Sequence, residues 1–524
     1  MQSQSLRQLA ILCLIVVLGL AAAGRGMSDI PLDSHEIYVA QTAENMLASG
    51  DWLVPRLNGE YRLTKPPLSY WLVAGASAVV GHSEVSPAIA RLPSVLASVG
   101  IALLAVWLGT RLFDRRVGLL AGLLCVASFS VFKYGHNARP DMLYAFWTTA
   151  VFAAWVGLCQ ATPARERRWA FGLWTLFALA TLTKGPQAPA IMLAGAIVYE
   201  GCFGSGWRAQ WQRLHPIAGV VILTVLIVPW YLLLRAAIGA DTLGNSQLSG
   251  SLLSVSPGRL LSPFYWVRTP MLWLPWALLL PAGAIQVWRD RRGPSGLLAF
   301  GVLVAVVVFT LGPQYREIYM LPWLAPAMIV FAAAVVHVPI ARACLVVLCA
   351  LVAIALGWLL YKGGLAALAS VVVAAGVLGA AAFSLRRGRL LGSAGLIAAA
   401  FAIGLFQAGA MPSLWSSSRY AQLAFSNRLA ATIEADTPVV VWDIDPAHYS
   451  YYLDRPARGY EVLAAVCEWL DRPHPRSVLV YPQQRRDELT ARLRLTPVLG
   501  ARDSEFQASW VPANQGCHPP DTGA

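Results

Sequence analysis

The sequence has little charge. Asp, Glu, Lys and Arg make up 13% of its 524 residues, about half the share found in soluble domains, and this excludes an ordinary water-soluble fold. It also lacks a Gly-rich phosphate loop, a CxxC pair and an HExxH helix, so the usual signatures of nucleotide hydrolysis, structural zinc and zinc-peptidase chemistry are missing. Acidic residues are scarcer than basic ones, 27 against 40. That excess does not point to nucleic acid, and no nucleic-acid partner is expected. The Lys and Arg stand in short clusters between apolar runs, as they do in the cytoplasmic loops of membrane proteins. What the chain has in quantity is apolar residues, at 57%.

A membrane span needs ~20 mostly apolar residues, and that ruler finds about thirteen candidates between residues 6 and 408, among them Pro87–Phe113, Val117–Lys133 and Pro270–Trp288. The apolar run after Arg7 shows no small-residue cleavage site and reads as a retained first span. The basic clusters at Arg115 and Arg116, 165–168, Arg208 with Arg213, 289–292, Arg342 and 386–389 fall in every second loop, which makes that side cytoplasmic. The N-terminus is then inside a bacterial inner membrane. Loops 25–86, 134–141, 184–187, 239–269, 312–320 and 361–364, with the tail, are outside.

The expected fold class is therefore mainly α, a polytopic membrane protein of about 13 transmembrane helices with a small C-terminal extracytoplasmic α/β domain. Residues 1–410 form the membrane domain, with 25–86 as its first outside loop, and 411–524 form the appended domain. In the tail, "TPVVVWDID" and "SVLVYP" read as buried strands, and "SNRLAATIEA" and "PQQRRDELTARL" as helices. Six of the eight Cys lie in apolar runs and act as small hydrophobes. Cys467 and Cys517, in the polar tail, form one disulfide or remain two free thiols.

Function is sought in the outside loops. The first carries Asp33, His35, Glu36, Glu44 and Lys65, and 36–47 has the pattern of an amphipathic helix along the membrane surface, with Asp33 and Ser34 near its cap. "YGHNARPDM" adds Arg139 and Asp141, "LTKGP" adds Lys184, and "GPQYREIYMLP" adds Tyr315, Arg316, Glu317 and Tyr319. Each stretch alone has a plain explanation: an interfacial helix, snorkelling charges, or an Arg316–Glu317 pair. Independent snorkelling does not explain why all four reach the same face. Lys65, Arg139, Lys184 and Arg316 are suited to neutralising a phosphate, and Asp33, Glu36 and Asp141 to supplying a base. His35, His82 and His136 are outside as well, but their spacing assigns no metal, and a divalent cation is left open.

The stretch "EIYVAQTAENMLASGDWLVPRLNGEYRLTKPPLSYWL" resembles the first outside loop of the aminoarabinose transferase and protein O-mannosyltransferase superfamily, glycosyltransferase family 39-like, which has the GT-C membrane glycosyltransferase fold. "ARPDM" is similar to its second acidic motif, "LTKGP" to its TKG turn, and "REIYMLPWLAP" to its late basic and Tyr segment. The resemblance implies a polyprenyl-phosphate sugar donor of the undecaprenyl type, a lipid or protein acceptor, and inverting displacement. It implies a first-loop carboxylate as base and phosphate contacts at Lys65, with Asp141, Lys184 and Arg316 matching the later motifs. His35, Tyr38, Glu44, Tyr315 and Tyr319 are supporting residues.

Counted back without gaps, the superfamily's Asp-Glu pair falls on His35 and Glu36, with an Asp two residues earlier at Asp33. The base is left between Asp33 and Glu36, Asp33 being preferred. Thr64 stands where aminoarabinose transferases carry an acidic residue before the KP motif. The rival expectation is a polytopic transporter or lipid-linked sugar flippase, but such proteins place charges near the midplane of repeated halves.

Overall fold

A computed structural model describes residues 2–82, 84–204, 206–244, 246, 262–312, 314–415, 417–499 and 505–517. The predicted loop 239–269 lies largely outside them.

The chain begins with α1 (Gln2–Gly24), α2 (Ser34–Ser49), a hairpin of β1 (Arg56–Leu57) and β2 (Glu60–Tyr61), and α3 (Leu68–Val80). There follow α4 (Pro87–Leu112), α5 (Arg115–Val126), α6 (Phe129–Gly135), α7 (Asp141–Cys159), α8 (Pro163–Thr183), α9 (Gln187–Phe203), α10 (Trp207–Arg213), α11 (Pro216–Ile238) and α12 (Ala240–Gly244). The bundle is completed by α13 (Phe264–Leu272), α14 (Leu280–Arg289), α15 (Pro294–Thr310), α16 (Leu324–His337), α17 (Ala341–Gly363), α18 (Leu365–Arg386) and α19 (Leu390–Gly409). A 3₁₀ segment, Glu317–Trp323, leads into α16.

Seven described helices are long and apolar enough to cross a membrane, or up to nine when each of two bent pairs is one span. The predicted spans 117–133 and 270–288 are those pairs, bent by 49° and 111°. The expected number of about thirteen is not reached by length and composition. Gln8–Gly24, Gln187–Phe203 and Pro294–Thr310 are apolar but short, and α8 opens with Arg165, Glu166, Arg167 and Arg168.

The first loop is not a simple surface helix. Asp33 caps α2 through the Glu36 amide at 2.9 Å, while the Glu36 carboxylate accepts from the Asp33 amide at 3.0 Å. This reciprocal capping box fixes where the helix starts. Ile37, Val39, Ala40, Ala43 and Met46 pack with Tyr70, Val73 and Ala74 of α3, Ala90 of α4 and Ala447 of the tail. Predicted to lie along the membrane surface, α2 is thus enclosed between the bundle and the tail. Between α2 and α3, Asn58 and Gly59 turn the hairpin with φ of 53° and 82°. That left-handed pair matches the strand twist and favours Asn-Gly.

The tail holds α20 (Ser417–Ala430), β3 (Val439–Trp442), α21 (Pro446–Tyr452), β4 (Ala457–Tyr460), α22 (Leu463–Leu470), β5 (Ser477–Pro482), α23 (Arg486–Thr490), β6 (Thr496–Leu499) and β7 (Phe506–Val511). Its strand order is β4-β3-β5-β7-β6. β3 pairs in parallel with β4 and β5, and β7 is antiparallel to β5 and β6. Val439 and Val441 pack on one face and Val440 and Trp442 on the other, as the period of two requires. Cys467 and Cys517 are disulfide-bonded, which closes the question left open above.

Candidate active site

Two charged clusters lie at the same end of the bundle, and both are assembled from helix ends. The first surrounds Glu36, which is wholly buried with Arg91. Arg91 donates to the two Glu36 oxygens at 2.7 and 3.0 Å. Its remaining donors reach the carbonyls of Met27, Ile30 and Pro31 at 2.8, 2.7 and 3.2 Å, so all five guanidinium N–H groups are engaged. Glu36 also accepts from Arg419 of α20 at 3.0 Å and from the Ala138 amide at 2.9 Å. With the Asp33 amide, five donors fill a carboxylate that has about four lone-pair sites. Glu36, expected as a candidate base, is a saturated anchor. Through Ala138 it holds the segment that presents Arg139 and Asp141.

Asp33 accepts from Arg419 at 2.5 Å besides capping α2, and its side chain is 28% exposed. His35 is exposed and stacks on Tyr38 with ring centroids 5.6 Å apart. Partial burial and the nearby Arg139 hold the His35 imidazole below its ordinary value of 6.5; Arg316 adds to this, and Asp33 and Asp445 oppose it. The Tyr38 hydroxyl donates to Asp445, and the Arg62 guanidinium lies 4.1 Å over the Tyr38 ring. Glu44 lies elsewhere: its carboxylate accepts the Val85 amide at 2.7 Å, and burial pushes it up to about 7.

The second cluster surrounds Asp141, the first residue of α7. Its side chain is 4% exposed and pairs with Arg139 at 3.1 Å and with Lys184, the C-cap of α8. A carboxylate at a helix N-terminus and an ammonium at a helix C-terminus each oppose the local end of the dipole, so the pair joins two antiparallel helices where each charge is favoured. Gly185, with φ of 128°, makes the turn after Lys184, a conformation that L side chains rarely adopt. The Lys184 ammonium also lies 5.1 Å from the Tyr319 ring and 5.7 Å from the Tyr144 ring.

Lys65, in the first loop, faces the same cluster. Burial and then Lys184 lower its ammonium to about 8; Asp141 opposes the shift, and Arg316 and Arg62 contribute to it. Arg316 follows Tyr315, whose ring stacks on Phe264 at 5.2 Å, and its amide donates to the Tyr265 hydroxyl at 3.2 Å. Glu317 does not pair with Arg316. Its carboxylate accepts from Lys133 at 2.7 Å and from Tyr134 at 2.9 Å. Of the four predicted phosphate residues, Lys65, Arg139 and Lys184 thus gather around a single carboxylate, Asp141, while Arg316, with Arg62, acts on Lys65. Such a set suits a multiply charged anion. Among the described residues, no group of three His, Cys, Asp or Glu gathers to hold a metal.

Arg91, Arg419 and the tail residues facing α2 were not foreseen. The tail covers α2 through Ser34 to His448 at 3.2 Å, Gln41 to Ser450 at 2.7 Å, Leu32 to Tyr452 at 2.9 Å and Tyr451 to Val85 at 2.7 Å. Arg91 lay inside a predicted span, where an ionisable residue is a functional signal by default.

Residues 64–232 match the family described as dolichyl-phosphate-mannose-protein mannosyltransferase. An undecaprenyl phosphate-α-4-amino-4-deoxy-L-arabinose arabinosyl transferase of Pseudomonas aeruginosa is 29% identical over 325 residues, which are 59% of this chain and 57% of that protein. The chain therefore aligns with little more than half the length of this curated relative. Among solved structures, apo ArnT from Cupriavidus metallidurans superposes with a TM-score of 0.78 at 20% identity, over 96% of this chain and 97% of that one. The same protein bound to undecaprenyl phosphate gives 0.77 at 19%, over 97% and 98%. The fold is that of the GT-C membrane glycosyltransferases. Within that class the chain is similar to the aminoarabinose and protein mannosyl transferases.

Proposed function

We propose that the protein transfers a sugar from a polyprenyl-phosphate donor of the undecaprenyl type to a lipid or protein acceptor, by a single inverting displacement at the extracytoplasmic face. The observation that carries this reading is the convergence of Lys65, Arg139 and Lys184 on the one carboxylate of Asp141, with Arg316 and Arg62 acting on Lys65. A polyprenyl-phosphate sugar is a phosphodiester with one negative charge. When the bond from the anomeric carbon to phosphate oxygen breaks, the departing phosphomonoester carries nearly two. Fixed cations therefore hold the leaving group more strongly than the bound donor, which is the condition for lowering the barrier. Asp141 keeps Arg139 and Lys184 in place beside the phosphate, and a first-loop residue takes the acceptor proton.

The names of the relatives support sugar transfer over transport, as does the absence of a midplane charge pattern in the sequence. The Cys467–Cys517 disulfide supports an oxidising, extracytoplasmic side for the tail, and hence a cytoplasmic N-terminus in a bacterial inner membrane. The test is transfer of radiolabelled sugar from native polyprenyl-phosphate donors into envelope lipid and protein fractions. Label entering one fraction, and lost in Lys65→Ala and Asp141→Asn of normal yield and fold, is the expected result. Full transfer by folded Lys65→Ala overturns the phosphate assignment, and no transfer from any donor overturns the reaction class.

A further inference from the structure

We propose that His35 is the general base that takes the proton from the acceptor hydroxyl. The inference rests on the reading of the cation cluster as the donor phosphate site, and it begins with what each nearby group already does. Glu36 has no free lone pair, being bound by Arg91, Arg419 and the amides of Asp33 and Ala138. Asp33 spends one oxygen on the α2 cap and the other on Arg419. Asp141 is clamped between Arg139 and Lys184, and Tyr38 donates its proton to Asp445. Each of the carboxylates is committed to a cation or to a backbone amide, and the Tyr38 hydroxyl to the Asp445 carboxylate.

His35 differs from all of them. It is exposed on the first turn of α2, and its ring is oriented by stacking on Tyr38 rather than by a bond to either nitrogen. The charges that act on it come from four directions: Asp33 from its own helix cap, Arg139 from the segment before α7, Arg316 from the segment before Glu317–Trp323, and Asp445 from the tail. Two of them, Arg139 and Arg316, belong to the cluster assigned to the phosphate. Glu36, the next residue, accepts the amide of Ala138, the residue before Arg139, at 2.9 Å, so the chain at His35 is tied to the segment that presents Arg139, and the imidazole has a nitrogen free to accept. Partial burial and Arg139 keep it below 6.5, so it is neutral at pH 7 and ready to take a proton.

In the step itself, the acceptor oxygen forms its bond to the anomeric carbon as its proton passes to His35. The bond from that carbon to phosphate oxygen breaks, and its electron pair leaves with the polyprenyl phosphate. Imidazolium beside the departing anion adds a further favourable charge, and its proton is lost to water after release.

The experiment compares wild type, His35→Gln and His35→Asp in the labelled-transfer assay, with the pH dependence of kcat/KM and with donor KM. Loss of ~10²–10⁴-fold in kcat is expected for His35→Gln, with donor KM little changed. Partial recovery is expected for His35→Asp, with its acid limb moved from the imidazole's to that of a carboxylate, whose ordinary range is near 4. Wild-type kcat in His35→Gln, a rise in donor KM alone, or an acid limb unmoved in His35→Asp overturns the assignment. Lys65→Ala separates the two levels of the argument. If it is inactive while His35→Gln is active, only His35 falls; if both are fully active, the phosphate site and this inference fall together.

Discussion

The lysine of the first loop offers the sharpest quantitative check on the phosphate site. Burial and then Lys184, aided by Arg316 and Arg62 and opposed by Asp141, bring the Lys65 ammonium from 10.5 down to about 8. That displacement corresponds to ~3 kcal/mol by which the charged form is disfavoured relative to water. A phosphate beside Lys65 reverses the preference, because an opposite charge at contact distance favours the ammonium. The free protein therefore needs a proton on Lys65 to receive the donor, and that proton is present below pH 8 and lost above it. Above the acid limb set by the base, the donor kcat/KM should be flat up to about pH 8 and then fall ~tenfold per pH unit. In Lys65→Arg the decline should vanish from the accessible range, since guanidinium keeps its proton, even if the altered geometry lowers the plateau. Steady-state kinetics in detergent with a short-chain donor, from about pH 6 to 10, measures both. An alkaline limb that stays in place in Lys65→Arg, or a wild type with no decline before pH 10, refutes the reasoning.

Arg419→Ala leaves Asp33 without its paired cation and Glu36 with Arg91 as its one remaining paired cation; it should cost ~2–3 kcal/mol, below the full value for a buried pair because Arg419 is partly exposed. Limited proteolysis should then release the tail at temperatures where the bundle remains folded, and unchanged protection contradicts the lock. Cys517→Ser opens a covalent loop with a sequence separation of 50 residues, worth about 4 kcal/mol in chain entropy; an unchanged melting temperature of the tail, with and without reductant, would show that the bridge does not form. For Glu44, burial raises the folded-state value from 4.5 to about 7, so the folded protein binds more protons than the unfolded one in that window and stability falls as pH rises through it. Glu44→Gln should remove up to ~3 kcal/mol of that loss, seen as a higher melting temperature at pH 8 but not at pH 4.

The grouping of the cations proposed to hold the phosphate was legible because they sit at or near helix ends, where sidedness follows from basic loops in the intervening sequence. Lys65, Arg139, Lys184 and Arg316 needed only the topology to be brought to one end. Asp33 near a helix cap was legible for a similar local reason, since capping acts within four residues. The role of Glu36 was not, because its partners lie 55 and 383 residues away and nothing local distinguishes a carboxylate that will be saturated from one that will be free. The tail shows the same limit. β3 and β5 are continuous apolar runs and were predicted as strands, whereas β4, "ARGY", and β6, "TPVL", are partly exposed edge strands that gain their form from pairing. The bends within 117–133 and 270–288 were read as single spans, because an apolar run carries no mark of where it folds back.

The contact between Arg419 and Glu36 also sets an order in time. A ribosome adds ~5–20 residues per second, so the 383 residues separating the two take roughly 20 to 80 s to make. During that interval the acidic pair of the first loop is unclamped by the tail, and residues 136–140 lean on an anchor that is only half built. A chain halted between Arg316 and α20 would hold every cation of the proposed site and still lack the piece that closes over it. Premature termination in the last fifth of the reading frame should therefore yield an inserted but inert protein. The late-made tail acts in this sense as a completion signal, bringing a fully translated chain into its working form.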